Sequence, residues 1–130
     1  MLLTSSRYLA LIFAIGLGIG EAVKNWGSWQ YAPLWIVDYI IVGWLLWGFF
    51  KTRLGKSIST LLGGWAFTAG VFYMALFVSL DPELAQHNNA NTTMLFLMGI
   101  MLTLSILGFL GALFAISTLQ SAPPDMRNDV

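Results

Sequence analysis

The sequence contains no cysteine, little charge and a single histidine. Without cysteine among its 130 residues, disulfides, thiolate metal sites and cysteine nucleophiles are excluded. His87 lies in an amide-rich stretch, and a metal or haem site there would need ligands from another chain. No nucleophile with a base, no pair of carboxylates and no phosphate-binding loop is recognisable. We therefore predict a protein that is not an enzyme and that has no cofactor and no metal site.

The charges that are present are few and balanced. Lysine plus arginine number 6 and aspartate plus glutamate number 6, so the net charge is zero and no basic surface for nucleic acid is expected. Charged residues make up 9% of the chain, against about 25% in a typical soluble domain. Hydrophobic residues make up 58%, and the mean hydropathy is +0.77. Most of the surface therefore cannot face water, which predicts an integral membrane protein with the lipid bilayer as its first partner.

Four apolar stretches are long enough to cross a bilayer as α-helices. The predicted fold is an all-α, four-helix transmembrane bundle that forms one domain over residues 1–119. After it, residues 120–130 contain two prolines and alternating charges, which predicts a flexible tail. The four predicted transmembrane helices are residues 8–23, 33–50, 57–80 and 92–119.

The first apolar stretch also resembles a signal peptide, because one positive charge precedes an apolar run that ends in small residues. Glu21 lies where cleavage would occur, which argues against removal of this segment. We favour an uncleaved first transmembrane helix, preceded by a short head formed by residues 1–6.

The basic residues predict the orientation, since lysine and arginine in short loops favour the cytoplasmic side. With four spans, only Lys24 falls on the opposite side from the other cations. Both termini and the loop at residues 51–56 are therefore predicted to be cytoplasmic. The compact chain and its short loops favour the bacterial inner membrane. The cations on the predicted cytoplasmic side are Arg7, Lys51, Arg53, Lys56 and Arg127.

Small residues recur at helical spacing and predict where helices pack, because close backbone approach drives helix association in lipid. In the first helix, one such face also carries Glu21, and a second face carries a GxxxG pair. The first face consists of Ala10, Ala14 and Gly18, and the second of Gly16 and Gly20. The third helix presents Thr60, Gly64, Val71 and Ala75, and the fourth presents Ser105, Gly108, Ala112 and Ala115.

Asp38 is the candidate functional residue, because it is an acid inside the second apolar stretch. A charged acid at the centre of a spanning helix costs about 2.5–3.5 kcal/mol, so we expect it to face the bundle while Trp44 and Trp47 face lipid. Glu21 and Lys24 lie at a similar depth. We predict a polar cluster in which Lys24 pairs with one acid, and Tyr39 and Tyr73 are expected in the same outer half.

Three interpretations of this cluster remain open at this stage. It could fix the register of the helices, bind a proton or cation in transit, or contact a partner subunit. The interpretation that we favour is a non-enzymatic accessory protein or self-associating bundle, as a homo-oligomer or with a partner membrane subunit. The alternative is a small oligomeric proton- or cation-linked transporter or channel that uses Asp38 and Glu21.

Overall fold

The computed structural model describes residues 1–24, 26, 32–55, 57–81 and 92–120, and in these ranges the secondary structure is helical. The predicted all-α class is confirmed for this part of the chain. The first connection, the third connection and the tail fall largely or wholly outside the described residues. The helices are α1 (Leu2–Lys24), α2 (Ala32–Arg53), α3 (Ser59–Leu80) and α4 (Thr92–Gln120).

All four helices are long and apolar enough to cross a membrane, as the hydropathy of the sequence predicted. The lengths of these segments range from 19 residues in α2 to 27 in α4, and about 20 residues span the hydrocarbon core. The side of the membrane on which each end lies stays a prediction.

The first helix begins earlier than the sequence suggested, at Leu2 rather than at Tyr8. The backbone N–H of Ser5 already donates to the carbonyl oxygen of Met1 at 3.0 Å. Ser6 is only 3% exposed, and its Cβ lies near Gly111 of α4. The expected short head is therefore wrong for this segment. Packing against α4 stabilises a helical turn that the polar side chains of the segment do not reveal.

Helix α2 ends two residues before a glycine whose backbone conformation does not continue an α-helix. Gly55 has a φ of 66°, in the left-handed region that favours glycine. Just before it, the hydroxyl of Thr52 donates to the carbonyl oxygens of Gly48 and Phe49, at 2.7 and 3.0 Å. Lys51 and Arg53 lie in the last turn of α2, where positive charge complements the helix dipole.

The helices pack in a ring, each against its neighbours in sequence, and α4 closes the ring against α1. We name the two ends of this bundle by their charged residues. The Arg7 end is where α1 and α3 begin and where α2 and α4 end. The Asp38 end is the opposite one, where α1 and α3 end and where α2 and α4 begin.

Aromatic side chains fill the centre of the ring. Trp65 of α3 is fully buried, and Phe13 of α1 meets it edge-to-face at a centroid distance of 5.5 Å. Phe13 also meets Phe72 of α3 at 5.9 Å, so these rings join α1 and α3 across the bundle. The described hydrophobic core consists of Ala10, Phe13, Ala14, Leu17, Ile41, Leu45, Leu61, Trp65, Phe72 and Ala112.

Close packing is concentrated at the Arg7 end. A Cβ added to Gly48 of α2 would come within 2.8 Å of the Cα of Leu61 in α3. A Cβ added to Gly108 of α4 would overlap the indole ring of Trp65. These glycines let backbones and an aromatic ring approach more closely than any other residue would allow.

Candidate functional site

Asp38 lies on the seam where α2 packs against α1. One turn further along α2, Val42 contacts Gly18 of α1, with 3.8 Å between a methyl group and the position of a glycine Cβ. The Asp38 side chain is partly buried, and its charge interacts with those of Glu21 and Lys24 on α1. The structure therefore brings together the three ionisable residues that the sequence placed in one cluster.

Within this cluster the cation lies closest to the acid of its own helix. The Nζ of Lys24 is 3.9 Å from the Oε1 of Glu21, at an i,i+3 spacing along α1. The side chain of Glu21 is 13% exposed and that of Lys24 is 38% exposed. In the described part of the chain, no ion pair within 4 Å involves Asp38. The cluster thus holds two carboxylates against one ammonium group, and a further proton or cation would balance it.

On the side of α2 that carries Asp38, the next residues along the helix are apolar and face the bundle. Ile41 and Leu45 are fully buried, and Phe49 is 5% exposed. Because these residues follow Asp38 at helical spacing, they anchor that side of α2 inside the ring.

Tyr39 and Tyr73, which the sequence placed in the same outer half, are directed away from the core. They are 42% and 52% exposed. Tyr39 meets Trp35 edge-to-face at 6.0 Å, and Tyr73 meets Phe77 at 4.5 Å, so each pairs with a ring of its own helix. Neither contact links a tyrosine to Asp38.

Trp44 is 39% exposed, but it also packs against α3, which the expectation that it faces lipid did not include. Its indole N–H donates to the carbonyl oxygen of Thr60 on α3 at 3.1 Å, and its ring stacks on Phe67 at 5.6 Å. The ring lies over Gly63 and Gly64, where the missing side chains leave room for it. This glycine pair was the available signal in the sequence. Trp47, in contrast, is 61% exposed.

A second polar group, which the sequence analysis missed, lies at the Arg7 end. The indole N–H of Trp65 donates to the hydroxyl of Ser6 at 3.1 Å. That hydroxyl donates in turn to the carbonyl oxygen of Gly108 at 2.8 Å. This chain of hydrogen bonds joins α3, α1 and α4 in the buried interior. The signal was Trp65 itself, because a buried indole N–H requires an acceptor.

Most of the predicted packing residues lie inside the ring. Ala10, Ala14, Ser105 and Ala112 are fully buried, and Gly64 is also buried. The hydroxyl of Ser105 donates to the carbonyl oxygen of Leu102 at 2.7 Å, which satisfies it within its own helix.

The GxxxG pair of α1 is the exception. A Cβ on Gly16 or Gly20 would meet no atom of the described residues within 4 Å, so this face makes no close contact with the other helices that the structure describes. Three further helical glycines are equally open. They are Gly43, Gly70 and Gly99.

Two further features of the described residues concern possible ligands. No group of three histidine, aspartate or glutamate side chains converges among these residues to hold a metal ion. An apolar groove lies on the outer side of α4, and it is lined by Leu95, Phe96, Gly99, Ile100, Thr103 and Leu104.

No family model, no curated protein and no solved structure matches the chain. The function must therefore be inferred from the chain's own residues.

Proposed function

We propose that the protein is a non-enzymatic transmembrane bundle that associates with a second copy of itself through the face of α1 that carries Gly16 and Gly20. The observation that supports this proposal is that both glycines are open in the single chain. The residues beside them are large, branched and exposed. Ile12, Ile19 and Val23 are 68%, 60% and 71% exposed.

A face of this composition suits a helix partner better than lipid alone. In a bilayer, hydrophobic burial contributes little to helix association, and packing at small residues contributes more. Two glycines four residues apart make a shallow groove, and branched side chains at its edges fit the groove of another helix. None of the helices that the structure describes covers this face.

Two copies that insert with the same topology would lie in the same orientation. A twofold axis along the membrane normal would make the contact isologous, with the same residues on both sides.

Cysteine cross-linking tests this contact directly, because the natural chain has no cysteine. Single-cysteine variants Ile12→Cys and Ile19→Cys in membranes should form disulfide-linked dimers on oxidation. Met74→Cys on α3, where the native side chain is 61% exposed, is the matched control and should remain monomeric.

A second set of variants distinguishes loss of the contact between copies from loss of the fold. The double variant Gly16→Ile, Gly20→Ile should abolish the cross-link and should leave the thermal unfolding temperature of the monomer unchanged. Gly70→Ile, at an equally open glycine of α3, should leave the cross-link intact. Equal cross-linking at residues 12, 19 and 74 would contradict the proposal.

A second candidate function is proton- or cation-linked transport by the oligomer. It is favoured by the position of Asp38, a partly buried acid that interacts with Glu21 and Lys24. Because Trp65 and Phe13 fill the centre of the ring, a pathway would run between copies rather than through one bundle. Proteoliposomes with a pH-sensitive dye test this function. Flux that is lost in Asp38→Asn and kept in Tyr39→Phe would support it, and no flux in the native protein would reject it.

We further propose that the Arg7 end lies in the cytoplasm of a bacterial cell, in the inner membrane. The support is the charge distribution, since Arg7, Lys51 and Arg53 lie at this end. A periplasmic-activity reporter fused after residue 130 should be inactive, and a fluorescent protein fused there should fluoresce. The opposite pair of results would reverse the orientation.

A further inference from the structure

We propose that Arg7 and Arg53 bind the phosphate of an anionic phospholipid headgroup at the Arg7 end of the seam between α1 and α2. This inference goes beyond self-association, because it assigns a lipid ligand to residues on another face of α1.

The register of the two helices places these arginines opposite each other. Gly18 of α1 and Val42 of α2 face each other across the seam, since a Cβ added to Gly18 would lie 3.8 Å from the methyl groups of Val42. Arg7 precedes Gly18 by eleven residues, and Arg53 follows Val42 by eleven residues. In an α-helix, eleven residues correspond to three turns with an offset of about 20°. Both arginines therefore lie on the seam, about 16 Å from the contact between Gly18 and Val42.

Aromatic contacts support the same register. The ring of Tyr8 meets the ring of Phe49 at a centroid distance of 6.1 Å, which joins the start of α1 to the end of α2. The Cζ of Arg7 lies 5.4 Å from the centre of the Tyr8 ring. The guanidinium is thus held beside the seam, and an aromatic ring forms one wall of the space around it.

The guanidinium of Arg7 has one donor that no described residue satisfies. Its Nε is buried and has no hydrogen-bond partner among the residues that the structure describes. A buried donor without an acceptor costs about 1–3 kcal/mol, so a ligand that supplied the acceptor would remove this cost. The three acidic residues that the structure describes are Glu21, Asp38 and Asp81, and all lie at the Asp38 end.

A phosphate oxyanion matches this arrangement. The planar guanidinium presents paired N–H donors that bind phosphate oxygens in a bidentate manner. Basic sites between helices at the cytoplasmic surface are suited to lipid headgroups, whose acyl chains then lie along the apolar helices. Arg53 is exposed at the same level and would supply the second set of donors.

Lys51 provides a matched control at the same end. Its Nζ lies 5.3 Å from the centre of the Trp47 ring, on the opposite side of α2 from Phe49. Removal of Lys51 changes the net charge by the same amount as removal of either arginine. Only a site on the seam would distinguish these substitutions.

The test measures lipid binding to the full chain in detergent by native mass spectrometry. The probes are phosphatidylglycerol and, as a neutral lipid with the same acyl chains, phosphatidylcholine. Arg7→Gln and Arg53→Gln should each weaken phosphatidylglycerol binding about fivefold, and the double variant about tenfold or more. Lys51→Gln should weaken it less than twofold. Arg7→Lys, which keeps the charge but loses the Nε donor, should weaken it by an intermediate factor.

Several outcomes would overturn the proposal. Equal losses in Lys51→Gln and Arg7→Gln would indicate general surface charge, and equal binding of the two lipids would exclude headgroup recognition. Full displacement of the lipid by 10 mM inorganic phosphate would assign the site to free phosphate instead. Arg53→Gln changes an exposed residue, so it supplies the decisive comparison even if Arg7→Gln fails to fold.

Discussion

The two ends of the bundle contain the same kinds of small residues and use them differently. At the Arg7 end, Gly48 and Gly108 lie against Leu61 and Trp65 of α3. Towards the Asp38 end, glycines such as Gly16, Gly20 and Gly99 have open space where a Cβ would be. A glycine in an apolar helix therefore does not by itself show that the helix packs closely against another helix of the same chain.

The ends also differ in how their polar groups are satisfied. Near the Arg7 end, Ser6, Trp65 and Gly108 form a buried chain of neutral hydrogen bonds. At the Asp38 end, ionisable residues lie together on partly exposed surfaces. The first arrangement stabilises the packing of three helices. The second leaves charge available for a proton, a cation or another copy of the chain.

The largest expected effect compares glycines of the two ends in the same helix. Gly108→Ala should reduce the free energy of unfolding by about 3 kcal/mol, because the new methyl group overlaps the Trp65 ring. Gly99→Ala should change it by less than about 1 kcal/mol and should tend to stabilise α4, since alanine favours the helix. SDS-induced unfolding in micelles measures both. Equal losses would mean that packing density does not differ between the ends.

A smaller effect concerns the buried hydrogen bonds. Ser6→Ala should cost about 1–2 kcal/mol, because it leaves the Trp65 indole N–H and the Gly108 carbonyl group without their partner. Ser5→Ala is the neighbouring control, since Ser5 is exposed and bonds only to the carbonyl oxygen of Met1 at 3.3 Å. The same unfolding assay measures both variants. A Ser5→Ala loss as large as that of Ser6→Ala would argue against the bonded chain.

In the charged cluster, we expect the effects of two substitutions on the free energy of unfolding to be coupled, and we expect no large effect from either one alone. Lys24→Met should cost less than about 1 kcal/mol, because the pair with Glu21 is partly exposed to solvent. Asp38→Leu should be tolerated better in the Lys24→Met background than alone. With Lys24 already replaced, removal of Asp38 no longer removes an attraction to a cation. A double-mutant cycle on unfolding free energies measures this coupling. Purely additive losses would show that Asp38 and Lys24 act independently.

The smallest effect is expected at the tyrosines of the Asp38 end. Tyr39→Phe and Tyr73→Phe should each change the free energy of unfolding by less than about 0.5 kcal/mol, because both side chains are exposed. Loss of either hydroxyl should also leave the coupling between Asp38 and Lys24 unchanged. A change in that coupling would make the tyrosine a member of the cluster.

The sequence was sufficient to predict four helices that are long and apolar enough to span a membrane. Each helix extends over an apolar stretch whose length alone indicates a span, and hydropathy is a local property of the chain. Alternation of the helix directions predicted that Asp38, Glu21 and Lys24 lie at one depth, and the charge of Asp38 interacts with those of the other two. The sequence predicted that Lys24 pairs with one of the two acids but did not show which one. In the structure, Lys24 forms its ion pair with Glu21.

The tertiary structure decided which faces meet. Ser6 looked like part of a polar head, and the sequence could not show that Gly108 and Trp65 would surround it. Trp44 lies against α3 because Gly63 and Gly64 face it across the interface. Gly16 and Gly20 matched a packing motif, yet neither lies against another of the described helices. Periodicity defines the faces of one helix, but their neighbours depend on register and crossing between helices, which residues far apart in sequence determine together.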